Sequence, residues 1–320
     1  MKKWAMAALR AAFHRTGAVN LIVTRRCDLA CPYCYARRDG PELLPGDWLR
    51  IAEILSSRFA AFTVSGGEPL LYDGLPDLVN GLSRIGIAGL CTNARIIEEA
   101  HLAAMHGLDY LNFSIDHTGD SAASEKTAFG KIPLMAEYAR KNSYELFGTA
   151  VITCRNVDSI PAVVRKLADH GIPTNLQLIQ NPASGYAFDT PEKLSQLNSL
   201  QDELLSLKRN GYPIEESVDY IQGLVPFVKG ERSVICHAGD TYLAVDTDGR
   251  LMPCQDAPAV GMPLQDMTDA KSALHALRGS APSPCRCWWN CYHRYESWRR
   301  SPLRFILSSF LDRARNGVKP

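Results

Sequence analysis

The run Ala18-Val19-Asn20-Leu21-Ile22-Val23, followed by Thr24-Arg25-Arg26 and then Cys27-Asp28-Leu29-Ala30-Cys31-Pro32-Tyr33-Cys34, decides how the rest of the chain is read. The first stretch is mostly apolar and β-prone, which predicts a strand. It ends just before a loop that carries three cysteines. Three thiolates on one short loop can hold three irons of a cubane and leave the fourth iron without a protein ligand, as a substrate-binding cluster needs. The competing reading is a zinc knuckle. A structural zinc site wants a fourth ligand nearby, and none is close unless a distant histidine supplies it.

Downstream, apolar strands are predicted at 61–65, 86–91, 110–115, 147–153 and 175–178, with helical periodicity between them at 46–58, 75–85, 96–105, 133–141 and 157–170. Strands alternating with helices argue for an α/β fold with a parallel sheet, open or curled into a partial barrel. In such sheets the active site lies at the carboxyl ends of the strands. After Gln180 the rhythm stops. A loop rich in Pro, Ser and Gly leads to a helix at 191–210, and from Cys236 the pattern is short strands and turns. Asp248-Gly249 signals a hairpin between strands at 242–245 and 250–252. Upstream, 3–15 reads as a helix. The boundaries expected are 1–17 for that helix, 18–225 for the barrel, 226–299 for a small C-terminal unit and 300–320 for a basic amphipathic tail.

The 320 residues, 46% hydrophobic and 22% charged, suit a soluble globular protein, and the formal net charge of +1 gives no global case for nucleic acid or membrane. No stretch approaches the roughly 20 uncharged apolar residues of a membrane span. Arg10, His14 and Arg15 interrupt any signal-peptide core, so the chain reads as cytoplasmic. Ten cysteines in a reducing compartment are then a question, and eight of them fall into two clusters, as metal sites do.

Other features end strands. Ser65-Gly66-Gly67-Glu68-Pro69 offers a glycine pair where backbone must approach a partner closely, and a carboxylate that can accept from an ammonium group. Thr92-Asn93 and Ser114-Ile115-Asp116 supply short polar groups. Each alone is more often a turn or a helix cap. Taken together, in this order, these motifs resemble the radical S-adenosylmethionine (SAM) superfamily, over roughly residues 18–180. The resemblance implies a partial (β/α)6 barrel and a [4Fe–4S] cluster on Cys27, Cys31 and Cys34 whose open iron chelates SAM. It also implies that Gly66, Gly67 and Glu68 hold the methionine amino group, that Ser114 and Asp116 meet the ribose, and that Tyr33 lies near the adenine. Ser65, Thr92 and Asn93 belong to the same cofactor-binding set. Thr92-Asn93-Ala94 departs from the family's usual Thr-Asn-Gly.

Cys236, Cys254, Cys285, Cys287 and Cys291 resemble the superfamily's twitch or SPASM extension, which binds auxiliary [4Fe–4S] clusters. Five cysteines are too few for two fully ligated cubanes, so one auxiliary cluster is expected. Cys236 and Cys254 are its firmest ligands, with two more from Cys285, Cys287 and Cys291; a structural zinc site is the alternative. Cys91 and Cys154 stand alone, as small buried hydrophobes usually do. Trp288, Trp289, Tyr292, Tyr295 and Trp298 interleave with arginines, a pattern that shields a cluster from water or binds nucleic acid; shielding is preferred.

The resemblance implies an enzyme that reductively cleaves SAM to a 5′-deoxyadenosyl radical and abstracts hydrogen from an organic substrate, as an oxidoreductase or a transferase. Reduced flavodoxin or ferredoxin would supply the electron. The leading expectation is natural-product or peptide modification. Residues 1–17 leave no room for an N-terminal peptide-recognition domain, which favours a small molecule or a separate peptide-binding partner. A lipid-acting enzyme is the second reading, since Leu303, Ile306, Leu307, Phe310 and Leu311 form an apolar stripe among arginines that suits peripheral membrane contact. A non-enzymatic zinc protein binding RNA is the third; no nucleic-acid partner is expected on the leading one.

Overall fold

The computed structural model describes residues 17–34, 40–118, 128–179, 185–232, 236–240, 242–266, 269–277 and 287–289. The expected helix at 3–15, the expected tail at 300–320, Cys285 and Cys291 lie outside them. Six parallel strands, β1 (Ala18–Thr24), β2 (Ala61–Gly66), β3 (Ile87–Thr92), β4 (Tyr110–Ser114), β5 (Glu145–Ile152) and β6 (Thr174–Leu178), alternate with helices α1 (Pro45–Ser56), α2 (Leu75–Ile85), α3 (Glu99–Ala104), α4 (Ile132–Asn142) and α5 (Ile160–Asp169). The chain continues through α6 (Pro191–Arg209), α7 (Val218–Gln222) and α8 (Leu224–Val228) to strands β7 (Tyr242–Val245) and β8 (Leu251–Met252), and then α9 (Ala270–Ala276). The sheet runs β6-β5-β4-β3-β2-β1-β7-β8 and is not closed.

Side-chain period sets the layers. In α2, Leu75, Leu78, Val79 and Leu82 are buried at i, i+3, i+4 and i+7. Strand β5 alternates half-buried and buried residues along its length. Leu146, Ala150 and Ile152 join the core beneath the helices. Gly148 lies on that face because a Cβ there would sit 2.5 Å from Leu167 of α5. The other face of the sheet is largely polar. Thr149 Oγ1 donates to Asn112 Oδ1 at 2.6 Å, and Ser65 Oγ donates to Asn20 Oδ1 at 2.7 Å.

Helix α3 begins at Glu99 rather than at the expected residue 96. Glu98 is its N-cap, closing a reciprocal capping box with His101, so the residues before it are a turn. The short helices α7 and α8 carry too little periodicity to be foreseen. The expected hairpin is present, with Gly249 at φ +83° in the turn and antiparallel pairing of Val245 with Leu251. Unforeseen is its attachment: β7 pairs in parallel with β1, from Ala18 opposite Tyr242 to Leu21 opposite Val245. The C-terminal hairpin thus continues the barrel sheet, and β1 has a neighbour on both sides. Among the described residues no helix is long and apolar enough to cross a membrane.

Candidate active site

The three-cysteine loop leaves β1 at its carboxyl end and is held against the end of β2. Gly67 N donates to Thr24 O at 2.8 Å, and Glu68 N to Arg26 O at 2.8 Å. A Cβ on Gly66 would stand 2.5 Å from Thr24 O, and one on Gly67 would stand 2.2 Å from Arg26 O. The glycine pair therefore admits the backbone that leads into Cys27. Arg26 closes the loop on itself, with Nε and Nη2 donating to the two carboxylate oxygens of Glu42 at 2.8 and 3.0 Å.

Glu68 joins β2 to β3. It is fully buried. Oε1 accepts from Leu70 N at 3.0 Å and Thr92 Oγ1 at 2.6 Å, and Oε2 accepts from Asn93 N at 2.7 Å. Burial pushes its carboxyl up to about 6, against the downward pull of those three donors. Asn93 in turn donates from Nδ2 to Asp28 Oδ1 at 2.8 Å, inside the cysteine loop. Ala94, buried, takes a left-handed φ of +58° at the position where the family's usual residue is glycine.

Tyr33 donates its hydroxyl to Asp116 Oδ2, while Asp116 Oδ1 accepts from Val151 N at 3.0 Å. The ring of Tyr33 lies 5.7 Å from that of Tyr186, and the Arg155 guanidinium stands 4.7 Å over Tyr186. Ser114 is half-exposed opposite Thr149. The ends of β1, β2, β3 and β4 thus bring together Tyr33, Gly66, Gly67, Glu68, Thr92, Asn93 and Asp116. Ser65 lies beside Asn20 on the polar face. Sequence reading missed Asp28 as the acceptor for Asn93, Asn20 as the partner of Ser65, and Arg155 and Tyr186 as neighbours of Tyr33, because these contacts come from long-range packing that no local pattern announces.

Cys27 is half-buried, Cys31 buried and Cys34 exposed, with Cys34 N donating to Cys31 O at 3.0 Å across the Pro32-Tyr33 turn. Burial, followed by the charges of Asp28, Glu68 and Cys34, raises the Cys27 thiol pKa, an effect that a bound cation would oppose. Among the described residues no group of three Cys, His, Asp or Glu side chains is gathered closely enough to hold a metal ion. The donor set still fits an iron–sulfur cluster: three soft thiols on one loop pinned at its base.

The second cysteine set sits elsewhere. Cys236 precedes β7 and Cys254 follows β8, so both lie toward the amino end of β1. Their loops touch, since a Cβ on Gly239 would stand 3.7 Å from Pro253 Cβ. Cys287 is buried beside Trp288, whose ring packs on Tyr220 and Phe227 at 5.9 and 5.1 Å and whose Nε1 donates to Tyr220 O at 3.1 Å. Of the expected aromatic shield, Trp288 is thus docked on α7 and α8; Tyr292, Tyr295 and Trp298 lie outside the described residues. Cys91 and Cys154 are half-buried, and burial pushes the Cys91 thiol up to about 11.

Residues 21–179 match the Radical SAM superfamily profile. The chain is 25% identical over 307 residues to the PqqA peptide cyclase of Gluconobacter oxydans, covering 86% of this chain and 82% of that one. It is 27% identical over 271 residues to a probable GTP 3′,8-cyclase of Methanopyrus kandleri, covering 80% and 87%. Among solved structures, SuiB of Streptococcus suis bound to precursor peptide SuiA superposes with a TM-score of 0.62 at 15% identity, covering 88% of this chain and 72% of that one. The structure of anSMEcpe with bound AdoMet gives 0.59 at 16% identity, covering 91% and 98%.

Proposed function

Because the chain belongs to the Radical SAM superfamily, we propose that this enzyme modifies a peptide, with Cys27, Cys31 and Cys34 holding the SAM-binding [4Fe–4S] cluster. When bound, cluster and SAM supply one electron and a carbon radical that removes a hydrogen atom from the substrate. The chain's own residues orient and enclose. Glu68 fixes the ends of β2 and β3 through three accepted hydrogen bonds. Tyr33, tied to Asp116, closes the loop over the end of β4. Arg155, at the same mouth, offers a guanidinium for a carboxylate. Cys236 and Cys254, with further ligands from Cys285, Cys287 and Cys291, would hold one auxiliary [4Fe–4S] cluster. Reduced flavodoxin or ferredoxin would supply the electron.

The observation that carries the peptide reading is the length of the similarity to PqqA peptide cyclase, 307 residues, which continues beyond the barrel into the C-terminal extension. The probable GTP cyclase defines the competing substrate class. The test offers the reduced, anaerobically reconstituted protein either GTP or synthetic peptides translated from short reading frames beside its gene. A peptide should raise 5′-deoxyadenosine formation and change in mass. Turnover of GTP with all peptides inert would contradict the proposal.

A further inference from the structure

We propose that Asp246, in the turn of the C-terminal hairpin, is a positioning residue for the three-cysteine loop of the barrel. The inference rests on the reading of Cys27, Cys31 and Cys34 as the SAM-binding site.

The hairpin meets the barrel at both ends of β1. At the carboxyl end, Arg25 Nη2 donates to Asp246 Oδ1, and the two side chains are only 12% and 17% exposed. Arg25 stands two residues before Cys27. Asp246 Oδ1 also accepts from Thr247 N at 2.7 Å, which fixes the carboxylate within the turn. Gly40, where the chain returns from the cysteine loop, packs against the same turn: a Cβ there would stand 2.9 Å from Thr247 Oγ1 and 3.2 Å from Arg25 Cγ. At the amino end, Asn20 Nδ2 donates to Gln255 Oε1 at 3.0 Å, next to Cys254. Between them runs the β1 and β7 pairing.

Both ends of the cysteine loop therefore rest on residues 246–247, while the Arg26 and Glu42 pair closes the loop without reaching the hairpin. The division of labour follows. Glu42 shapes the loop, and Asp246 locates it on the sheet. A partly buried ion pair that loses one partner leaves the other charge uncompensated, and here the stranded charge would be Arg25, beside the first ligand. The extension is then part of the SAM site's frame, and the hairpin that carries Cys254 also sets where Cys27 stands.

The test uses the full-length reconstituted protein and the electron paramagnetic resonance spectrum of its dithionite-reduced state. The change in that spectrum on adding SAM reports the cluster with an open iron, and its loss in Cys31→Ala verifies the assignment. Asp246→Asn should raise the SAM concentration for half-maximal change about tenfold, the ratio that corresponds to about 1.4 kcal/mol of lost positioning. Arg25→Gln should do the same, and the double variant should be no worse than either single one, because the two act as a unit. The exchanged pair Arg25→Asp with Asp246→Arg should restore most of the response. An unchanged response in Asp246→Asn, or additive losses in the double variant, would overturn the inference. A wild-type spectrum indifferent to SAM would remove the site reading itself, and the inference with it.

Discussion

Glu68 shows how one buried side chain sets a pH dependence. Its carboxyl rises to about 6 in the folded chain from an ordinary value of 4.5. Between those values the folded state binds more protons than the unfolded one, so stability falls as pH rises through the window. The total is about 2 kcal/mol, at roughly 1.4 kcal/mol per unit. Glu68→Gln, which cannot ionise, should lack that slope, and urea unfolding of the two proteins at several pH values measures the difference. Ala94 carries a second residue-scale expectation. Its left-handed φ of +58° costs about 1 kcal/mol in strain, while glycine there would lose a similar amount in unfolded-state entropy. Ala94→Gly should therefore shift stability by less than about 1 kcal/mol, and Ala94→Val, branched at Cβ in a fully buried position, should cost more than about 2 kcal/mol. Unfolding midpoints decide both.

The β2 turn is understood through the loop it supports. Gly67→Ala would put a methyl 2.2 Å from Arg26 O, so the cysteine loop must shift. The expected cost is about 2 kcal/mol or more, with faster loss of iron to a chelator. Gly46→Ala in α1 is the control. A Cβ at Gly46 meets nothing within 4 Å. It should stabilise the chain by about 0.5–1 kcal/mol. The glycine pair was legible in the sequence as a place of close approach, but what approaches is the chain's own backbone. Strands β1 to β6 and most helices were legible because periods of 2 and 3.6 are local signals. Helices α7 and α8, five residues each, are too short to show a period.

At the scale of the whole molecule, what the sequence withheld is long-range register. Nothing local in Ala18 to Leu21 announces that Tyr242 to Val245 will pair beside it. Asn20 reads as an ordinary strand residue and Gln255 as a turn residue until the pairing brings them to 3.0 Å. The cysteine motifs were legible because their chemistry is concentrated in one short segment, whereas the partners of Cys236 and Cys254 depend on how distant segments fold together. The two sets lie toward opposite ends of β1, whose rise alone is about 20 Å. Two separate clusters are the expected outcome. Anaerobically reconstituted protein should bind about eight iron and eight sulfide, and about four of each once Cys27, Cys31 and Cys34 are replaced together. Stoichiometric zinc without sulfide would contradict that count. The most direct measurement of the central claim is formation of 5′-deoxyadenosine from SAM by dithionite-reduced protein, wild type against Cys31→Ala. The wild type should form it and the variant should form none. Continued cleavage by Cys31→Ala would contradict the assignment of the three-cysteine loop as the SAM-cleaving site.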